Sequence, residues 1–260
     1  MPKNPAKIAK PIQQHPKKQF FKRALVTGGV IAGLTLGGIT ALKNPALRER
    51  IEFKRAEISA RQAEKRGQFS VNFWVDSQKP EQITRTVNLA LGFAQKEMPA
   101  ELNGKKVSVY IVRELPKTGF VEPYDLALSK IKTPKNFADT PVHFTPGETP
   151  TFNVHLNLRE VSNSLGKLAS VERINARCFG LVFNQVAGTA EIFEKYRAVI
   201  DRNAAATVEM RHELEVRTFE KGIEALSKFT QKQAKNSKFR KNLEEELKFQ
   251  QGLLKNWKRL

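Results

Sequence analysis

Phe152-Asn153-Val154-His155-Leu156-Asn157-Leu158 alternates apolar and polar side chains with the period of two that a half-buried strand requires. From Ser170 onward the apolar spacing becomes helical, with one segment running to about Ile200 and another from Asn203 to about Phe229. That change of period divides the chain into a strand-bearing half and a helical half. Upstream, Phe69, Val71, Phe73 and Val75 alternate with Ser70, Asn72 and Trp74, which predicts a first strand. Pro80 and Glu81 open a helix that carries Ile83, Val87, Leu91, Ala94 and Met98 on one stripe. Val107, Val109 and Ile111 predict a second strand, and 116–150, rich in proline and glycine, reads as loop with room for one short element. Strands first and helices after predict an α+β domain with a small mixed sheet over 67–230.

The flanks differ in kind. Residues 1–23 hold Pro2, Pro5, Pro11 and Pro16 among lysines and read as a disordered basic leader. Residues 24–42 (ALVTGGVIAGLTLGGITAL) are nineteen positions without a charge, enough for a helix to cross the roughly 30 Å hydrocarbon layer of a bilayer. Gly29, Gly33 and Gly37 recur every fourth residue, a small-residue face on which two such helices could pair. A cleaved signal peptide is the competing reading, but its basic region would be unusually long and no A-x-A pattern lies near Thr40 or Ala41. Residues 43–66 predict a charged juxtamembrane helix that Gly67 ends. Residues 231–260 predict a basic amphipathic helix with Phe239, Leu243, Leu247, Leu254 and Trp257 on one stripe, suited either to a bilayer interface or to packing on the domain.

The net charge of +19 is concentrated at the ends: residues 1–66 carry +11, 228–260 carry +7, and 67–227 only +1. A nucleic-acid-reading domain would gather charge on its folded part, so anionic membrane lipid is the expected partner and no specific nucleic acid is. Lys17, Lys18, Lys22 and Arg23 crowd the N-terminal side of the uncharged stretch, which predicts a single-pass protein with its N-terminus inside and the domain outside the cytosol. The acid-free basic leader leaves an organelle membrane as the alternative. A single cysteine, Cys178, excludes an intramolecular disulfide.

The long helix contains Leu181-Val182-Phe183-Asn184-Gln185-Val186-Ala187-Gly188-Thr189-Ala190. In element order this segment resembles the metal helix of zincin-type metallopeptidases of the gluzincin kind. On that resemblance Asn184 stands where the first histidine of H-E-x-x-H would be, Gln185 where the catalytic glutamate would be, and Gly188 where the second histidine would be. Glu213, in Glu213-Leu214-Glu215-Val216-Arg217, resembles the third ligand, and Asn153, His155 and Asn157 on the preceding strand would border the substrate groove. Residues four apart on a helix share a face, which is why two imidazoles there can grip one zinc. Asn is a poor zinc ligand, glycine has no side chain, and Gln cannot act as a general base. The resemblance therefore implies a degenerate, pseudoenzyme domain with no catalytic residue, no metal and no cofactor. Read from the residues alone, a polar pair beside a glycine equally suits a close helix–helix contact.

His15, His143, His155 and His212 include no pair at helical spacing, so no local metal site is visible. Cys178 lies in an apolar run and predicts a buried, inert thiol. There is no Walker loop, G-x-G-x-x-G or G-x-S-x-G. The expected function is protein or peptide binding by a membrane-anchored domain. The alternatives are a divergent anchored hydrolase using His155 or His212, and a tethered binder of anionic lipid or nucleic acid through the basic flanks.

Overall fold

The computed structural model describes residues 45–74, 80–115, 131–145, 147–166, 168–201 and 208–260. The uncharged stretch 24–42, with Gly29, Gly33 and Gly37, lies outside the described residues. The chain divides into two compact units, Met1–Arg48 and Glu49–Leu260. The second is an α+β unit, mostly helical, and its elements are α1 (Pro45–Lys65, which begins just before the boundary), β1 (Phe69–Phe73), α2 (Pro80–Glu97), α3 (Pro99–Leu102), β2 (Lys106–Val112), a 3-10 turn (Pro134–Asn136), β3 (Ala138–Asp139), β4 (Val142–His143), β5 (Thr151–Asn157), α4 (Leu158–Leu165), α5 (Val171–Asp201), α6 (Val208–Lys232) and α7 (Lys238–Trp257).

The three strands read from alternation form the centre of one mixed sheet. β1, β2 and β5 are parallel, in the order β1-β2-β5, while β3 and β4 pair antiparallel with β5. Parallel neighbours need a crossover, and α2 supplies it between β1 and β2. Register aligns Val71 with Val109 and Val109 with Val154, so one face of the sheet is apolar throughout. α2 and α5 cover that face.

The loop expected over 116–150 instead contains the 3-10 turn and two two-residue strands, too short to leave a periodic signal. Leu158 does not extend β5. Asn157 caps a helix there, its Oδ1 accepting from the Glu160 N–H at 3.1 Å.

The domain boundaries at 66/67 and 230/231 are not divisions in the structure. α1 and α7 pack into the same core as the sheet. Ala56, Ala60 and Ala63 bury one side of α1, and Gly67, at φ 69°, closes that helix, its N–H donating to the Glu64 carbonyl and the Gln68 N–H to the Ala63 carbonyl. The tail helix buries Leu243, Leu247, Leu253 and Trp257 against the domain, so its apolar stripe is not available to a bilayer. Phenylalanines from five helices meet at one point. Phe239 of α7 lies 4.8 Å from Phe53 of α1 and 5.2 Å from Phe179 of α5. Phe93 of α2 lies 4.9 Å from Phe229 of α6, ring centre to ring centre.

Candidate binding site

α5 carries the sequence Asn184-Gln185-Val186-Ala187-Gly188, and its side chains diverge. Asn184 and Gly188 share the face against α6. A β-carbon at Gly188 would overlap the carbonyl oxygen of Thr218, and one at Gly222 would overlap the carbonyl and Oδ1 of Asn184. The helices therefore touch backbone to backbone, and no room for an ion exists between them. Asn184, fully buried, donates from Nδ2 to the Phe219 carbonyl at 3.3 Å and to Gln250 Oε1 at 2.7 Å. The Gly222 hydrogen that replaces a β-carbon points at Asn184 Oδ1, which has no conventional donor.

Gln185 faces elsewhere, accepting a 2.9 Å hydrogen bond from Thr140 in the turn between β3 and β4. Glu213 is exposed and ion-paired with Arg217. The structure thus brings Asn184 and Gly188 together, places Gln185 beside the sheet's outer strands, and leaves Glu213 at the surface. Among the described residues no group of three or more His, Cys, Asp or Glu side chains could hold a metal ion.

Asn184 belongs to a buried polar seam joining four helices. Gln250 donates to Glu246 Oε1 at 2.9 Å, and Arg177 Nε donates to Glu246 Oε2 at 2.8 Å. Arg177 also donates to Ser164 Oγ at 2.6 Å, and its guanidinium lies 3.4 Å from the centre of the Phe249 ring. Burial pushes the Glu246 carboxyl up to about 7, against the pull of Arg177 and of the Gln250 hydrogen bond. Burial likewise pushes the adjacent Cys178 thiol up to about 12, which keeps it from ionising. The seam is structural: every side chain in it is spent holding helices together.

The other face of the sheet is polar and carries the open chemistry. Register aligns Asn72, Tyr110, His155 and Asp139 in one row across β1, β2, β5 and β3. The His155 ring stacks on Tyr110 at 5.3 Å, and Tyr110 meets Trp74 at 5.0 Å. Asp139 Oδ1 lies 3.0 Å from His155 Nδ1, an orientation that fixes the imidazole. In the next row Ser70 and Ser108 hydrogen-bond at 3.0 Å. Trp74, just past the end of β1, is 66% exposed, whereas Trp257 is 3% exposed. Among the described residues β1 pairs only with β2, which leaves its other edge open.

Of the three expected groove residues, His155 and Asn153 lie on this face. Asn157 does not: it is buried, caps α4, and donates from Nδ2 to the Asn136 carbonyl at 3.1 Å. β5 itself is an interior strand, so β3 and β4, rather than β5, form that border of the sheet. His212 is remote from His155 in its contacts, meeting Trp257 edge-on at 5.8 Å, and burial holds its imidazole below the ordinary range. Trp74, Tyr110, Asp139 and Thr140 were not singled out from sequence. The signal for Trp74 was its place in the polar phase of the first strand, where a large ring has no core to fill. Asp139 left no signal, because only pairing with β5 brings it to the site, and Thr140 left none for its bond to Gln185 of α5.

Comparison of the chain with protein-family models, curated proteins and solved structures returns no match. Among the described residues no helix is long and apolar enough to cross a membrane.

Proposed function

We propose that this chain is a membrane-anchored, non-catalytic binding module that takes an extended peptide along β1, with side chains of the peptide resting on Trp74 and Tyr110. An open strand edge offers main-chain hydrogen bonds, and alternate side chains of an added strand would fall on the polar face of the sheet. The observation that carries the reading is Trp74. A largely exposed indole, already in tilted contact with the Tyr110 ring, is the kind of rigid aromatic anchor that dominates binding energy at interfaces. The degenerate zincin-like reading is kept as part of the proposal on element order alone: a sheet bordered by antiparallel strands, then a long helix, then a second helix crossing it. Two of its three ligand positions, Asn184 and Gly188, are occupied by helix packing, which favours binding over hydrolysis. Anchorage rests on 24–42.

The test uses the two tryptophans. In the full chain, quencher access to Trp74 falls when a binding peptide is added, and Trp257 stays silent because it is buried. Trp74→Ala removes the signal and the binding. Stoichiometric zinc in the purified protein, or peptidase activity lost to a chelator, would refute the proposal. A second reading, a divergent hydrolase, draws on the Asp139–His155 pair. Among the described residues no hydroxyl or thiol hydrogen-bonds His155, so the pair could only activate water. Hydrolysis abolished by His155→Ala but unaffected by chelator would favour it.

A further inference from the structure

Because the tail helix spends its apolar side on the core, whatever its basic residues do must be electrostatic. α7 carries three acids and each is engaged: Glu244 with Arg240 at 2.7 Å, Glu245 with Arg173 at 3.4 Å, and Glu246 with Arg177 at 2.8 Å. Lys238 and Lys258 at its two ends are paired with Glu172 and Glu220. That accounting leaves Lys241, Lys248 and Lys255, all exposed and facing no carboxylate among the described residues. They are seven residues apart, which on an α-helix is two turns, or about 10.5 Å, with a drift of roughly 20° per interval. The three ammonium groups therefore lie on one nearly straight line, opposite the buried Leu243, Leu247 and Gln250. Gly252, between the second and third lysines, has nothing within 4 Å of where a β-carbon would be, so the line runs over a smooth surface.

We infer that the outer face of α7 is an electrostatic contact for an anionic bilayer surface. A straight row of compact charges, none of them in an ion pair among the described residues, on a flat helix face matches a plane of anionic headgroups. No aromatic ring lies on the row to stack on a base, and no arginine on it to read one, which argues against nucleic acid. Each lysine close to such a plane biases binding about fivefold, the equivalent of about 1 kcal/mol. The inference adds a second, separable membrane contact to the anchored reading, and it is on the anchored reading that the choice of bilayer as partner rests.

The full chain is reconstituted into vesicles of phosphatidylcholine alone and into vesicles with three parts in ten phosphatidylserine, and amine acetylation of each lysine is followed by mass spectrometry. Lys241, Lys248 and Lys255 are expected to label about tenfold more slowly on the serine-containing vesicles, while exposed Lys106 labels equally on both. Protection should vanish near 0.5 M salt, where screening shortens to a few ångströms. Lys241→Gln, Lys248→Gln and Lys255→Gln combined should abolish it at unchanged melting temperature, and the three Lys→Arg changes should keep it. Equal labelling on both vesicle types overturns the inference, as does protection by a DNA duplex but not by serine-containing vesicles. A chain that fails to float with neutral vesicles overturns the anchor alone. The helix face is then judged by salt-sensitive flotation with the serine-containing vesicles, whose absence overturns it too.

Discussion

Gly188→Ala should destabilise the protein even though alanine is the better helix former. In an isolated helix the exchange gains about 1 kcal/mol. Here the new methyl would enter the Thr218 carbonyl and approach the Gly222 amide, and both are backbone atoms that cannot swing aside. α5 and α6 would have to separate, at an overpacking cost of about 1–3 kcal/mol. Separation also stretches the Asn184 bonds to Phe219 and Gln250, and a buried amide left unsatisfied costs about 1–3 kcal/mol more. The net loss is about 1–5 kcal/mol, a fall in melting temperature of roughly 2–20 °C for a domain of this size. Gly252→Ala is the matched control: it lies in α7 with open space around it, and should gain about 0.5–1 kcal/mol, or about 2 °C. Thermal unfolding by far-UV circular dichroism measures both. A Gly188→Ala protein as stable as its parent would refute the backbone-to-backbone crossing.

Rebuilding H-E-x-x-H with Asn184→His, Gln185→Glu and Gly188→His should give an unfolded or aggregated chain rather than a zinc protein, because α6 occupies the space a metal would need; equilibrium dialysis with zinc and a melting curve check it. Glu246, with its carboxyl raised from 4.5 to about 7, binds its proton more tightly in the folded chain than in the unfolded one, so its contribution to stability falls as pH rises between those values, by up to about 3 kcal/mol. Denaturant midpoints across that range should flatten in Glu246→Gln, and an unchanged slope would remove the assignment. Cys178 should resist a thiol-specific reagent in native buffer and react fully in denaturant, since its thiol is both buried and held up to about 12.

Period-two alternation located β1, β2 and β5, and helical spacing located α2, α5 and α6, because each buries one face on a single core. The membership of α1 was hidden: it packs through Ala56, Ala60 and Ala63, whose small side chains raise no hydrophobic stripe, and through Phe53. For α7 the stripe was legible, but a stripe does not say what covers it. Asn157 followed by Glu160 was a readable helix-start signal, masked by Leu158 continuing the strand's alternation. Asn184 and Gly188 were singled out in a metal-site frame, and the alternative of a close helix contact is the one their surroundings fit. Half of the sheet-face row was legible, since His155 lies in the polar phase of its strand. Its partner Asp139 was not, because nothing local predicts that a two-residue strand will pair across sixteen positions.

The cluster that joins Phe53 to Phe239 has a consequence for synthesis. α7, which follows the other described helices in the chain, supplies the ring that fills the space between α1 and α5. Until α7 has been made, the nascent chain carries an aromatic hollow open to water, a surface that chaperones and other exposed chains bind. A premature stop before Lys238 would leave that hollow permanently open, and its product should be found with the degradation machinery rather than in the folded pool.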